Sequence, residues 1–334
     1  MDNQTYTPWV LPPEQNPLYR RNQRRNLGRI GLALTAYLLS TSLLSAAMSF
    51  VAARFFPALF QQHQELFTLL LAAVPGYLLG VPFFALLVKG MPRQAPEKKP
   101  LTPGGWITFL AVTFFLMYAG SVIATVLMEL LSGIRGQEIT NAIDKQITTS
   151  SPWLNFVLVA VIAPIFEEIL CRKLVLDRLL PYSEVLAVVT GGLFFGMIHG
   201  NFYQFFYATF LGITFSYVYV KTGRLIHSVV MHMIVNFTGS VITDFINKHT
   251  GAEALSATSI NPWDLVASLY SLGMITLSVC GAILLFREIK KKKLSAEGPC
   301  KLTLKTQFKL MWGSGGTIAY CVVCGILFIT SLFI

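Results

Sequence analysis

Four side chains carry the chemistry that this sequence can support: Glu167, His199, His232 and Asn236. All four lie in strongly apolar stretches, where an ionisable or amide group is costly and marks a functional site by default. Glu167 belongs to the run Ala163-Pro164-Ile165-Phe166-Glu167-Glu168-Ile169-Leu170-Cys171-Arg172. Glu168 and Arg172 are spaced i, i+4 with the acid first, the favourable order for an ion pair on a helix. Neighbours on a helix diverge by about 100°, so only one of the two glutamates is expected to face a common site. Giving Glu168 to Arg172 as a structural pair leaves Glu167 for the interior. A partly desolvated carboxylate there is suited to act as a base near neutrality.

His232 and Asn236 are again i, i+4 and share one helix face. An imidazole and an amide side by side can both donate to a developing oxyanion. They can equally bond each other across a helix interface with no chemistry at all. His199 closes the run Phe195-Gly196-Met197-Ile198-His199. His227 is off the His232 face and reads as an interface residue beside the turn Lys221–Arg224.

The elements that must position these groups are membrane spans. Of the 334 residues, 54% are hydrophobic and 13% charged, where a soluble domain has about 25% charged residues. Nine apolar runs are near the ~20 residues that a spanning helix needs: 30–53, 66–88, 106–131, 153–170, 184–199, 202–220, 225–246, 263–286 and 317–334. The expected fold is therefore an all-α, polytopic transmembrane helix bundle of about eight to nine spans. The fifth and sixth runs are short and share the Gly200–Asn201 break, so they could form one re-entrant pair.

Residues 1–29 read as a cytoplasmic basic N-terminal segment and 30–149 as N-terminal transmembrane helices. Residues 150–246 form the core that carries the chemistry, and 247–334 are C-terminal transmembrane helices with a basic cytoplasmic loop. The first run is too long for the apolar part of a cleavable signal and reads as a retained signal-anchor.

Lys and Arg set the orientation. With the N-terminus in the cytoplasm, segments 1–29, 89–105, 171–183, 221–224 and 287–316 hold 5, 4, 3, 2 and 8 basic residues. The opposite side holds four: Arg54, Arg135, Lys145 and Lys248. This bias accounts for the net charge of +10 without nucleic acid as a partner. The bilayer is the partner instead, with the plasma membrane as the expected location, and the Lys290–Lys293 run reads as a cytoplasmic anchor. Five cysteines make no secreted disulfide framework, and Cys321-x-x-Cys324 has no second pair, so it reads as lipid-phase packing.

Helix geometry lets the four groups meet. With a turn near Tyr182, Glu167 and His199 come level within about 3 Å. His232 lies about 15 Å beyond its own turn near Thr222, against about 22–25 Å for the first pair. The polar stretch Arg172, Lys173, Asp177 and Arg178 suggests that the first hairpin projects into the cytoplasm, by an amount that would put all four at one depth toward that face.

These motifs together, Glu-Glu-x-x-x-Arg at 167–172, Phe-x-x-x-His at 195–199 and His-x-x-x-Asn at 232–236, resemble the CAAX-protease and bacteriocin-processing family of intramembrane peptidases, also called ABI. The resemblance covers roughly residues 150–245. Cys171 stands before the Arg where the family often has an aromatic, which places a thiol near the site; a cysteine mechanism has no histidine close in sequence to support it. The resemblance implies a glutamate endopeptidase acting on a membrane-tethered peptide or protein substrate. In it Glu167 activates water with help from His199, His232 and Asn236 form the oxyanion site, and Glu168 with Arg172 supports the geometry. No cofactor is expected. Zinc is the alternative, since two His and one Glu can bind it, but the zinc helix motif H-E-x-x-H is missing and Asn236 is a poor zinc ligand. The competing reading is a non-catalytic membrane protein of the same fold, acting in bacteriocin immunity or as a scaffold.

Overall fold

The computed structural model describes residues 12–250, 261–291 and 294–333. Lys292 and Lys293 of the expected basic anchor lie outside the described residues. The fold is all-α, with an apolar helix at each of the nine expected places. They are α1 (Pro17–Phe55), α2 (Gln64–Leu87), α3 (Pro103–Arg135), α4 (Pro152–Leu179), α5 (Glu184–Met197), α6 (Phe202–Thr222), α7 (Leu225–His249), α8 (Pro262–Lys291) and a final pair, α9 (Leu304–Trp312) and α10 (Gly315–Ser331). Among the described residues six helices are long and apolar enough to cross a membrane, and the α9–α10 pair, bent by 60°, makes up to seven. Neither α5 nor α6 passes that test, so the count is six to seven against the expected eight to nine.

The outside of the bundle is apolar. Leu265, Leu269, Leu272, Ile275, Val279, Ile283 and Phe286 of α8 are exposed, an arrangement suited to lipid rather than water. Inside, polar groups are mostly paired, as a water-free medium favours, but among the described residues Glu168 Oε2, Arg172 Nε and Nη1 and both ring nitrogens of His227 have no hydrogen-bond partner.

Helix α1 begins at Pro17, so the expected cytoplasmic segment is helical for its second half. Asn16 caps it, accepting from the amides of Leu18 and Tyr19, and Pro17 suits the first helical position. Its 39 residues extend about 58 Å, far more than the ~30 Å hydrocarbon core. One end must protrude, and the arginines at 20–29 say which. The protruding part runs beside α9. Glu14 accepts from the amide and hydroxyl of Thr303 at 3.0 and 2.9 Å and from the Thr306 hydroxyl. The Thr306 hydrogen bond is the main reason the Glu14 carboxyl sits below its ordinary range. Further along, α1 and α10 run parallel and almost touch: a Cβ on Gly316 would lie 1.9 Å from the Gly28 carbonyl oxygen.

Helices α5 and α6 pack closely through glycine. A Cβ on Gly212 would meet the Gly192 Cα at 2.9 Å. Helix α5 has only 14 residues, about 21 Å, so it falls short of the bilayer and ends in a turn at Gly200, whose φ is +65°.

The polar stretch at the tip of the α4–α5 hairpin, from which a cytoplasmic projection is expected, is largely covered by protein. Arg172 is fully buried, and Asp177 and Arg178 are buried. Two extended segments wrap the tip and satisfy it. Gln94 N–H donates to the Asp177 carbonyl at 2.7 Å, and Lys99 N–H donates to Thr222 at 2.8 Å. Cys300 N–H donates to Pro181 at 3.1 Å, and Arg178 Nε donates to the Val88 carbonyl at 3.1 Å. The charges that suggested exposure are instead spent inside this collar, with Tyr219 donating to Asp177 at 2.8 Å and Lys173 donating to Tyr219 at 2.7 Å. Within the collar, burial pushes the Cys300 thiol and the Tyr182 phenol up.

Candidate active site

Three helices around the motif residues depart from α-helical winding. Wide π-type turns occupy Ala73–Gly80 of α2, Asn155–Ile162 and Ile169–Leu176 of α4, and Phe237–Ile242 of α7. Such turns re-aim side chains and free carbonyls, and they are frequent at functional sites. Glu167 and Glu168 fall between the two in α4, and Asn236 immediately precedes the one in α7.

The Glu168–Arg172 pair forms as expected. Arg172 Nη2 donates to Glu168 Oε1 at 2.9 Å, with both side chains 0% exposed. The guanidinium lies 5.1 Å from the Phe195 ring centre and 5.8 Å from that of Phe215. The same two rings bracket His232, at 5.6 and 5.2 Å. Aromatic faces thus cover a charge that cannot reach water.

The expectation that only one glutamate faces the site is overturned. Glu168 bonds the His232 imidazole, and Glu167 lies off the opposite edge of the ring, beyond hydrogen-bonding distance. Nδ1 lies 3.2 Å from Glu168 Oε1 and Nε2 lies 3.9 Å from Glu167 Oε2. Two long side chains converge on one ring because its nitrogens face different ways, so the divergence of their Cα–Cβ bonds is bridged by the imidazole itself. Glu168, ionised against Arg172, is an acceptor, so Nδ1 of His232 carries the hydrogen between them.

His199 lies in the turn after α5 rather than on the helix. Its Nδ1 is 2.7 Å from the Phe195 carbonyl. A carbonyl can only accept, so Nδ1 carries the proton and Nε2 is left as an acceptor. Its ring packs edge-on to Phe195 at 5.1 Å, which places both imidazoles against one phenyl ring. His199 is also within electrostatic range of Glu167 and His232. Asn236 does not bond His232. Its amide donates to the Val159 carbonyl at 2.9 Å, in the π-type stretch of α4, and its second N–H is not engaged there. His227 packs edge-on to Trp106 at 5.3 Å, away from this cluster. Cys171 is buried beside it, and Cys321 and Cys324 are free thiols.

Among the described residues no three His, Cys, Asp or Glu side chains are gathered as a metal ligand set.

One contact had no signal in the motifs. The Tyr77 hydroxyl donates to Glu167 Oε1 at 3.2 Å. Tyr77 comes from α2, outside the resemblance, and only its phenol inside an apolar run could have marked it.

Residues 149–238 match the family model of the Type II CAAX prenyl endopeptidase Rce1-like proteins. Over 84 residues the chain is 27% identical to YdiL of Bacillus subtilis (strain 168), named as a candidate membrane peptidase; the match covers 25% of this chain and 34% of that relative. The chain thus spans about a third of that relative's length. No solved structure matches the chain. The family-model match, residues 149–238, holds all four motif residues.

Proposed function

We propose, from the match of residues 149–238 to the Rce1-like CAAX endopeptidase model, that this integral membrane protein is a glutamate endopeptidase of the CAAX-protease and bacteriocin-processing family. It hydrolyses a peptide bond of a membrane-tethered peptide or protein. The observation that carries the reading is the convergence of Glu167 and His232, 3.9 Å apart, with His199 on the shared Phe195 ring, drawn from three separate helical segments of an apolar bundle.

Glu167 Oε2 takes a proton from the attacking water, and the unprotonated Nε2 of His199 orients that water. Attack on the scissile carbonyl puts negative charge on its oxygen. The second N–H of Asn236 and a proton held at Nε2 of His232 donate to that oxygen. With Nδ1–H on the Glu168 carboxylate and a proton also at Nε2, His232 enters the reaction as the imidazolium; Glu168 stabilises that cation throughout and Arg172 holds Glu168 in place, the logic by which a buried carboxylate supports a catalytic histidine. The proton taken by Glu167 then passes to the leaving amine. No residue of the chain forms a bond to the substrate, and no cofactor takes part. The Lys and Arg excess of the N-terminus and the basic loops favours the cytoplasmic side for them, with the site toward that face and the plasma membrane as the proposed location.

The test is cleavage by the purified chain in lipid vesicles. A membrane-anchored reporter peptide should be cut, with the new termini located by mass, while the same peptide without its anchor is cut far more slowly. Glu167→Ala and His199→Ala should abolish the product. An intact reporter in wild-type vesicles across a panel of anchored peptides would count against a peptidase.

A further inference from the structure

Glu167 has two carboxylate oxygens and they have different surroundings. Oε1 accepts from Tyr77 at 3.2 Å. Oε2 faces His232 Nε2 at 3.9 Å, beyond direct hydrogen-bonding reach, so it is uncommitted. The tyrosine is itself held. Its ring stacks on Phe166, with centroids 5.4 Å apart and planes 18° from parallel, and Phe166 is the residue before Glu167. Its backbone lies in the π-type stretch of α2, beside Pro75 and Gly76, and the Gly76 carbonyl accepts from the Tyr37 hydroxyl at 3.2 Å.

Two other tyrosines lie within electrostatic range of Glu167, Tyr37 and Tyr207. Their hydroxyls have other partners: Tyr37 donates to Gly76, and Tyr207 accepts from Gln204 Nε2 at 3.0 Å. Of the three, only Tyr77 is bonded to the carboxylate.

We propose that Tyr77 is a positioning residue for the base: it fixes Oε1 and so selects Oε2 as the oxygen that takes the proton from water. This rests on Glu167 being the base. The bond between the phenol and Oε1 restricts rotation of the carboxylate about its last torsion, which is otherwise broad and two-fold. It also ties the motif segment to α2, which lies outside the matched residues 149–238. The catalytic unit therefore needs a residue from the N-terminal half of the chain.

The experiment compares wild type, Tyr77→Phe and Glu167→Gln in the same vesicles with an anchored reporter peptide. Tyr77→Phe keeps the ring and its stack on Phe166, so the bundle should fold. It should lower kcat by about tenfold to a hundredfold, the range for a hydrogen bond to a charged group, with KM nearly unchanged. An activity-independent readout accompanies these. The carboxylate infrared bands assigned to Glu167 by the Glu167→Gln difference should shift in the Tyr77→Phe background. Unchanged kcat and unshifted bands in Tyr77→Phe, beside an inactive Glu167→Gln, would overturn the role of Tyr77 alone. An active Glu167→Gln would bring down the base assignment and this proposal with it.

Discussion

Replacing Arg172 by alanine isolates the interaction on which the His232 geometry rests. In the parent the guanidinium is 2.9 Å from Glu168 and both side chains are 0% exposed. Removing the cation leaves a buried carboxylate whose remaining partner is His232. Stripping one member from a buried pair costs about 3–5 kcal/mol, because an uncompensated charge stays behind. The lost contacts with the Phe195 and Phe215 rings add roughly 1–2 kcal/mol. Against a total stability on the order of 5–15 kcal/mol, Arg172→Ala should lower the unfolding transition in detergent severely. The exposed pair Lys99–Glu97, with side chains 58% and 78% exposed, supplies the control, since such pairs contribute about 1 kcal/mol or less. The double variant Glu168→Met with Arg172→Met removes both charges and fills the volume, so it should regain much of the loss. The assay is thermal or denaturant unfolding of the purified variants. If Arg172→Ala unfolds where Lys99→Ala does, or the double variant is no better than the single one, the buried pair is not what holds this region together.

Other consequences are as direct. Asn236→Ala should reduce reporter turnover by about 10²–10³-fold if its free N–H meets the oxyanion, while the lost bond to Val159 costs only about 1 kcal/mol of stability; kinetics and unfolding measured on one preparation separate the two. Gly316→Ala sets a methyl 1.9 Å from the Gly28 carbonyl and should force α1 from α10, lowering the melting temperature, whereas Gly325→Ala, where a Cβ meets nothing within 4 Å, should not. The Glu14 carboxyl is held below its ordinary range by Thr306 and Thr303. Its stabilising contact is thus complete above the unfolded value of about 4.3 and is lost as pH falls through the lowered folded one. A fluorescent pair at positions 13 and 305 should separate on acidification in the parent and show no such pH step in Glu14→Gln.

The ion pair Glu168–Arg172 and the facing of His232 toward the interior were legible in the sequence, because i, i+4 spacing fixes a helix face whatever the neighbours do. The meeting of Glu167 with His232 was legible as a depth argument only. That argument assumed uniform α-helical rise, and the π-type turns in α4 and α7 change the local pitch. The shared use of His232 by both glutamates was not legible, since Cα directions say nothing about how far two long side chains can turn back. The buried state of Asp177 and Arg178 was missed for a different reason. Arg178 donates to the Val88 carbonyl, the Asp177 carbonyl accepts from Gln94 N–H and its carboxylate accepts from Tyr219, all distant in sequence and without any pattern of their own. Tyr77 is the clearest case: a lone phenol in an apolar span carries no spacing, and only the packing of α2 on α4 gives it a partner.

The central claim is that Glu167, and not the neighbouring thiol, activates water in the bilayer. Turnover of an anchored peptide by Glu167→Gln and by Cys171→Ser, measured side by side in the same vesicles on folded protein, tests it most directly. The account predicts that Glu167→Gln loses about 10²-fold or more, within the span that a positioned base contributes, while Cys171→Ser stays near the parent rate. A Glu167→Gln variant that cleaves at the parent rate, or a Cys171→Ser variant that is dead, would contradict it.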